Sequence, residues 1–361
     1  VPMQPLDTIE GSASPPRPAG SRRPVAAVDL GTNNCRLLIA RGGPGDFRVI
    51  DAFSRVVRLG ERVDVTGRLS EPAMARSVAA LKVCAAKIER RGVGRARAVA
   101  TEACRRADNF PAFRDRVRAE TGLDLEVISA DEEARLSLAG CAPLIDPAVD
   151  HALVFDIGGG STELMWLNAV DAAAGRAACP VDWISLPYGV VGLTERHGMD
   201  PLPEGVYRAI VAEVVDALQA FERRHAIRDR IAEGRVQMLG SSGTVTTLAG
   251  VLFDLPRYDR ARVDGQWLSF VDARETSRRL LSMDVAARAS HPCIGRDRAD
   301  LVLAGCAVLE AICEVWPVGR LRIADRGVRE GILNDLMGGV RGHAGGTDLA
   351  DHAVSRGGRP I

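Results

Sequence analysis

Residues 155–163 read Phe155-Asp156-Ile157-Gly158-Gly159-Gly160-Ser161-Thr162-Glu163, and a shorter version, Val28-Asp29-Leu30-Gly31-Thr32-Asn33-Asn34, sits in the first half of the chain. In each, a largely apolar run (Val25–Leu30, Ala152–Ile157) carries Asp at its penultimate position and then turns through Gly and hydroxyl or amide residues into another apolar run. The pattern reads as a β-hairpin. Its turn can point backbone N–H groups at an anion, and glycine lets the chain approach a phosphate closely. One copy alone is equally an ordinary tight hairpin turn, for which Gly and Asn are common. Two copies, each with an Asp two residues before its Gly, point to a duplicated phosphate clamp and a duplicated fold.

The composition limits the function classes. At 361 residues the chain exceeds what one core usually supports, so two domains are expected. Forty-seven basic and 47 acidic side chains cancel, which argues against a general nucleic-acid binder or a polybasic membrane binder. Lys82 and Lys87 are the only lysines and neither follows a Gly, so a Gly-Lys-Ser/Thr nucleotide loop is excluded. The cysteines are scattered without a Cys-x-x-Cys pair and read as thiols of a reducing, cytoplasmic compartment. The six histidines lack metal-ligand spacing, which argues against zinc. No apolar run is long enough to span a membrane, and residues 1–24 read as a disordered tail without a signal core.

Each half reads as three strands followed by alternating helix and strand. The first runs through strands 25–30, 36–41 and 47–57, helix 71–90, strand 96–100, helix 110–121, strand 125–128 and helix 131–141. The second has strands 152–157, 162–167 and 181–185, helix 204–226, strand 236–239, helices 244–251 and 300–314, strand 321–324 and helix 328–336. This predicts two mixed α/β domains, 25–148 and 149–338, with helices covering the sheets and a flexible tail over 339–361. The site is expected in the central cleft between them, at the hairpin turns.

The order Asp-Leu-Gly-Thr-Asn, Ser-Ala-Asp-Glu-Glu-Ala-Arg, Asp-Ile-Gly-Gly-Gly-Ser-Thr-Glu, Gly-Ser-Ser-Gly-Thr and Asp-Arg-Gly-Val-Arg-Glu-Gly resembles the exopolyphosphatase / guanosine pentaphosphate phosphohydrolase family. The resemblance spans about Val25 to Leu336. It implies two ribonuclease H-like domains of the actin-like ATPase superfamily, in the short branch without a C-terminal HD domain. It also implies hydrolysis of a terminal phosphoanhydride with magnesium, with manganese as a substitute and a monovalent cation such as potassium as a further candidate. A homodimer is the expected assembly.

Such hydrolysis needs an oriented water, a clamp for the phosphate oxygens and a metal to spread their charge. In Ser129-Ala130-Asp131-Glu132-Glu133, Ser129 and Glu132 fit a helix-capping box, which accounts for Glu132 better than Glu133. The family's catalytic glutamate matches Glu133, so the resemblance assigns it as general base. Asp156 is placed like a metal ligand, and Glu163 is a candidate for the metal or the nucleophilic water. Gly158, Gly159 and Gly160 supply N–H donors, with Ser161 and Thr162 as hydroxyl donors. In the first turn Asp29 is the counterpart of Asp156, and Gly31, Thr32, Asn33 and Asn34 are phosphate-binding candidates. Gly240-Ser241-Ser242-Gly243-Thr244 forms a third loop at a helix start, which suits phosphate but equally a plain capped turn. Arg105 matches the family's phosphate-contacting arginine, and Arg296 and Arg298 are candidates to line the same channel.

The favoured substrate is inorganic polyphosphate, with guanosine pentaphosphate the alternative by the same chemistry. A kinase or ATPase of the superfamily is disfavoured by Glu133 in a hydrolase-type motif, and a non-catalytic sensor by the intact acids Glu133, Asp156 and Glu163.

Overall fold

The computed structural model describes residues 23–169, 180–198 and 200–338, together with the backbone of Thr347–Asp348. The expected tails therefore lie largely outside the described residues.

Strands β1 (Val25–Leu30), β2 (Asn34–Gly43), β3 (Asp46–Val56), β4 (Arg95–Ala100) and β5 (Leu125–Val127) form the first sheet. β2 pairs antiparallel with β1 and β3, β1 pairs parallel with β4, and β4 pairs parallel with β5. The second sheet repeats this plan with β6 (His151–Ile157), β7 (Thr162–Asn168), β8 (Asp182–Leu186), β9 (Val236–Ser241) and β11 (Arg320–Ala324); a short β10 (Trp267–Ser269) adds an edge. Again β7 is antiparallel to β6 and β8, and β6, β9 and β11 run parallel. Both halves thus show the strand order 3-2-1-4-5 of the ribonuclease H-like fold that the family resemblance implies.

Helices α1 (Glu71–Arg90), α2 (Glu102–Arg106), α3 (Phe110–Thr121) and α4 (Ala130–Cys141) belong to the first half. The second contributes α5 (Val190–His197), α6 (Glu204–His225), α7 (Gly243–Leu252), α8 (Phe270–Leu281), α9 (Val302–Val315) and α10 (Val328–Gly338), besides shorter turns. The apolar stripe of α1 (Val78, Leu81, Ile88) packs with Phe113 and Val117 of α3 on one face of the first sheet. Helices α5, α6, α7 and α9 cover the outer face of the second. The sequence reading passed over α8, although Ser269 caps it by accepting from Asp272 N at 3.0 Å, a signal visible in Ser269-x-x-Asp272.

The inner faces are joined by α4 and α10. Leu136 of α4 and Ile332, Leu333 and Leu336 of α10 pack on Val25, Ala27, Leu38 and Val99 of the first sheet. Ala134, Leu138 and Cys141 of the same α4 pack on Val154, Met165 and Leu239 of the second. Helix α4 therefore lies between the sheets, and its N-terminus opens toward both hairpin turns. The α4–α10 contact depends on glycine: a Cβ at Gly331 would collide with the backbone of Leu136, and one at Gly140 with the carbonyl of Gly327.

Since backbone cannot retreat as a side chain can, Gly331→Ala should cost about 1–3 kcal/mol by overpacking, which thermal unfolding would show as a lower Tm. Gly205→Ala, at an exposed helical glycine with open space around it, should instead hold or raise Tm. Equal behaviour of the two variants would contradict this account of the central helix pair.

Candidate active site

The two hairpin turns have the same internal geometry. Gly31 N donates to Asn34 O at 2.9 Å, and Gly158 N donates to Ser161 O at 2.8 Å. Asp29 stands opposite Arg36 in the β1–β2 register, and Asp156 stands opposite Glu163 in the β6–β7 register. At matching positions the duplicated hairpins thus carry a cation in one half and an anion in the other. The turns meet face to face. A Cβ on Gly159 would lie 3.0 Å from Asn33 N, and one on Gly160 2.7 Å from Thr32 Oγ1. Behind the second turn, Val190 N and Val191 N donate to the carbonyls of Gly158 and Gly159 at 3.0 and 2.9 Å.

Between the turns lies a cleft of about 950 Å³, including the solvent-open space at its mouth. Asp29, Gly31, Thr32, Asn33 and Asn34 line it from the first turn, and Asp156, Gly158, Gly159, Gly160, Ser161 and Glu163 from the second. Glu133 lines it from the first turn of α4, and Ser242, Gly243 and Thr244 from the third loop. The structure brings these expected residues together. It adds several that the sequence reading did not single out, including Arg36, Thr101, Glu102 and Thr247. Arg36 could have been found as the register counterpart of Glu163. Thr101 and Glu102 carry no signal beyond following a strand.

Other expected residues lie back from the cleft. The buried Thr162 donates its hydroxyl to Tyr188 O at 2.7 Å and is a structural tie. Gly240 is packed against Phe155 and Val245, where a larger residue would not fit. Ser241 donates to Arg326 O at 2.9 Å and reaches Asp156 Oδ2 at 3.5 Å, so it supports a cleft residue from behind. Arg296 is exposed and outside the lining, whereas Arg298 lines the cleft and donates to Thr247 Oγ1 at 3.3 Å. Arg105 also stands behind the lining, because carboxylates hold it: it donates to Glu133 Oε2 at 2.7 Å and to Glu102 Oε2 at 2.8 Å.

The third loop is shorter than its motif, since β9 runs through Ser241 and α7 starts at Gly243. Ser242 makes the turn at φ 133°, and its hydroxyl accepts from Thr244 N at 3.1 Å. A non-glycine residue there stores on the order of 1–3 kcal/mol of strain, typical of a site-forming turn. At the start of α4, Ser129 Oγ accepts from Glu132 N at 3.2 Å as the capping box requires. The Glu132 carboxylate turns away from the cleft instead, to the buried Arg97 and to Arg135, so of the two neighbours only Glu133 faces the cleft.

The charges of the cleft are held under tension. Desolvation raises the carboxyls of Asp29, Asp156, Glu133 and Glu163, with Glu163 adding repulsion to Glu133 and Arg105 opposing it. Solvent reaches Asp29, Asp156 and Glu133 from the cleft side, while Glu163 is 4% exposed. Ser161 and Ser185 both donate to Glu163 Oε1, at 2.5 and 2.9 Å, and partly offset its burial. Desolvation likewise works against the positive charge of Arg298, and Arg36 adds like-charge repulsion. Such a site favours a ligand that supplies negative charge to the arginines and brings a cation to the carboxylates.

The chain matches the model of the Ppx/GppA phosphatase family over residues 38–339. It is 32% identical to Exopolyphosphatase 2 of Mycobacterium tuberculosis H37Rv, over 87% of this chain and 98% of that protein. Among solved structures, an exopolyphosphatase-like protein aligns at 31% identity and a TM-score of 0.78, covering 87% of this chain and 97% of that one. The Ppx/GppA family member of Aquifex aeolicus aligns at 29% identity and a TM-score of 0.70, covering 88% and 99%.

A glutamate whose native pKa is raised binds its proton more readily folded than unfolded, so it costs stability as pH rises above the unfolded value near 4.3. Glu163→Gln keeps an oxygen for both serines and removes that cost. In metal-free buffer the variant should melt higher than the parent at about pH 8 and converge on it at about pH 4 and below, with roughly 2–4 °C for each kcal/mol relieved. A Tm difference independent of pH would show that the carboxylate charge is not the destabilising element.

Proposed function

The chain belongs to the Ppx/GppA phosphatase family, and from that premise we propose that it is an exopolyphosphatase, hydrolysing the terminal phosphoanhydride of inorganic polyphosphate to release orthophosphate. The observation that carries the reading is one cleft lined by the two matching glycine turns, a strand-to-helix loop, Arg36, Arg298 and the desolvated Glu133. Phosphate oxygens would be held by N–H groups of the turns at Gly31–Asn34 and Gly158–Ser161, which cost no reorganisation when charge shifts in the transition state. Arg36 and Arg298 would take the charge of the next phosphates. Glu133 would accept a proton from water as the water oxygen bonds to the terminal phosphorus. The bridging P–O bond breaks with its electron pair going to the shortened chain. A raised pKa keeps Glu133 basic enough for this work.

The carboxylates suit magnesium. Among the described residues no group of three acidic, His or Cys side chains forms a complete metal cage. Magnesium does not require one, because it takes one or two carboxylates and completes its shell with water and substrate phosphate. Asp156 and Glu163, paired across β6–β7 and both desolvated, would hold it, and the bound ion would spread the charge of the phosphate oxygens. Manganese is the natural substitute. Free, buried thiols, including Cys35 and Cys84 with sulfurs 3.9 Å apart, suit a reducing cytoplasm.

Guanosine pentaphosphate presents the same terminal bond. The described lining of the cleft, however, contains no aromatic ring on which a guanine could stack, whereas its arginines and turns serve any phosphate chain. This favours polyphosphate.

Glu133→Gln should cut kcat on long-chain polyphosphate by at least the ~10²-fold of a positioned general base, with KM largely kept. Glu132→Gln, which loses only ion pairs away from the cleft, should cost far less in kcat. Equal losses at both positions would remove Glu133 from the role.

Phosphate release from long polyphosphate, guanosine pentaphosphate and ATP, measured side by side, tests the substrate. Long polyphosphate should give the highest kcat/KM, with KM rising with salt as counterion release weakens polyanion binding. Chelator should abolish the activity and magnesium restore it. Arg298→Ala should narrow the gap between polyphosphate and guanosine pentaphosphate. A preference for guanosine pentaphosphate at physiological salt would make it the substrate instead.

A further inference from the structure

Glu102 lines the cleft from the first turn of α2, yet no step above uses it. A carboxylate at the wall of a polyanion site repels substrate unless a cation answers it. Arg105 is that cation. Its Nε and Nη2 donate to Glu102 Oε2 at 3.2 and 2.8 Å, and its Nη1 donates to Ile128 O at 3.0 Å and to Glu133 Oε2 at 2.7 Å. These bonds take four of the five guanidinium N–H groups, leaving one on Nη2. The side chains of Arg105 and Glu133 are each 16% exposed, so little water competes for the contact.

The three anchors come from different parts of the fold. Glu102 sits at the start of α2, Ile128 in the turn after β5, and Glu133 in the first turn of α4. A guanidinium on its long stem would swing if it touched Glu133 alone. Two further acceptors, one gripped by two N–H groups, fix its plane and so the direction from which it meets Glu133. With Oε2 of Glu133 held, Oε1 remains for a proton from water. A base oriented through a second group by a third is a recurrent arrangement for proton transfer.

We propose that Glu102 is a positioning residue for the hydrolysis: together with the Ile128 carbonyl it fixes Arg105, and Arg105 aims Glu133 at the attacking water. This rests on the reading of Glu133 as general base. It gives Arg105 its task on the protein side of the cleft, behind the lining.

The test is a double-mutant cycle on the full chain with magnesium and long polyphosphate, kcat and KM being measured separately. Glu102→Gln should lower kcat on the order of tenfold, because misaimed proton transfer loses part of the base's contribution, while KM stays near the parent value. In the Glu133→Gln background the same substitution should cost little more, since an effect transmitted through Glu133 vanishes once the base is gone. Arg105→Lys, which cannot grip two carboxylates in fixed geometry, should show the same kcat loss and the same non-additivity, and it decides the matter if Glu102→Gln does not fold. Full kcat in Glu102→Gln, a loss confined to KM, or an undiminished loss in the Glu133→Gln background would each overturn the positioning role. Full activity of Glu133→Gln alone would instead overturn the base assignment on which it rests.

Discussion

The site depends on two backbone turns being able to touch. Gly159 and Gly160 of the second turn lie directly against Thr32 and Asn33 of the first, so a Cβ on either would press the turns apart, while one on Gly189, directly behind, would collide with the backbone of the second turn itself. Hydrogen bonds from backbone N–H groups are short-ranged, so donors on opposite walls can converge on one ligand only if the turns approach this closely. The contact is held from outside as well. Val57 N and Arg58 N donate to Asn33 O, and Arg58 Nη2 reaches across to Asp300 Oδ1 at 2.8 Å. Arg62 N also crosses to Glu195 Oε1 at 2.9 Å. The rim of the first half is thereby tied both to its own hairpin turn and to the segment carrying Arg298.

Bringing the turns together concentrates charge. Duplicated hairpins place Asp29 and Asp156 equivalently, and the divergence of their cross-strand partners into Arg36 and Glu163 sets a cation beside one aspartate and a second carboxylate beside the other. Each buried carboxylate opposes folding, and so does the desolvated Arg298. The chain offsets this with cores on both faces of both sheets. Active sites commonly retain such strain, because the groups that bind and activate substrate are those the empty protein would be more stable without.

Helix α4 shows how packing becomes chemistry. Its Leu136 is committed to the first sheet and its Ala134 and Leu138 to the second, which leaves no freedom in its rotation. Glu133 is thereby aimed into the cleft, and Ser137, one turn along, reaches Asp156 Oδ2 at 3.5 Å from the same helix. The glycine contact with α10 sets how deep the helix sits, so a change at Gly331 or Gly140, remote from the hairpin turns, would be felt at Glu133.

Local patterns determined a good deal by themselves. Hairpin periodicity, the Asp-x-Gly turns and the Ser129 cap are properties of a few adjacent residues, and they placed the duplicated sheets, the two turns and the start of α4 before any tertiary contact was known. They also separated Glu132 from Glu133, although the role of the latter came from resemblance. Tertiary structure alone decided which polar groups reach the cleft. Thr162, Gly240 and Ser241 look like binding residues within their motifs, but strand alternation and packing turn them inward or behind it. Arg36 and Glu102 look like ordinary surface charges, and only the meeting of two halves of the chain makes them walls of one site. Arg105 reads as a phosphate ligand in a linear motif; folding brings two glutamates, Glu102 and Glu133, to it first, because a guanidinium desolvated among carboxylates is held by whichever anions the fold sets within reach.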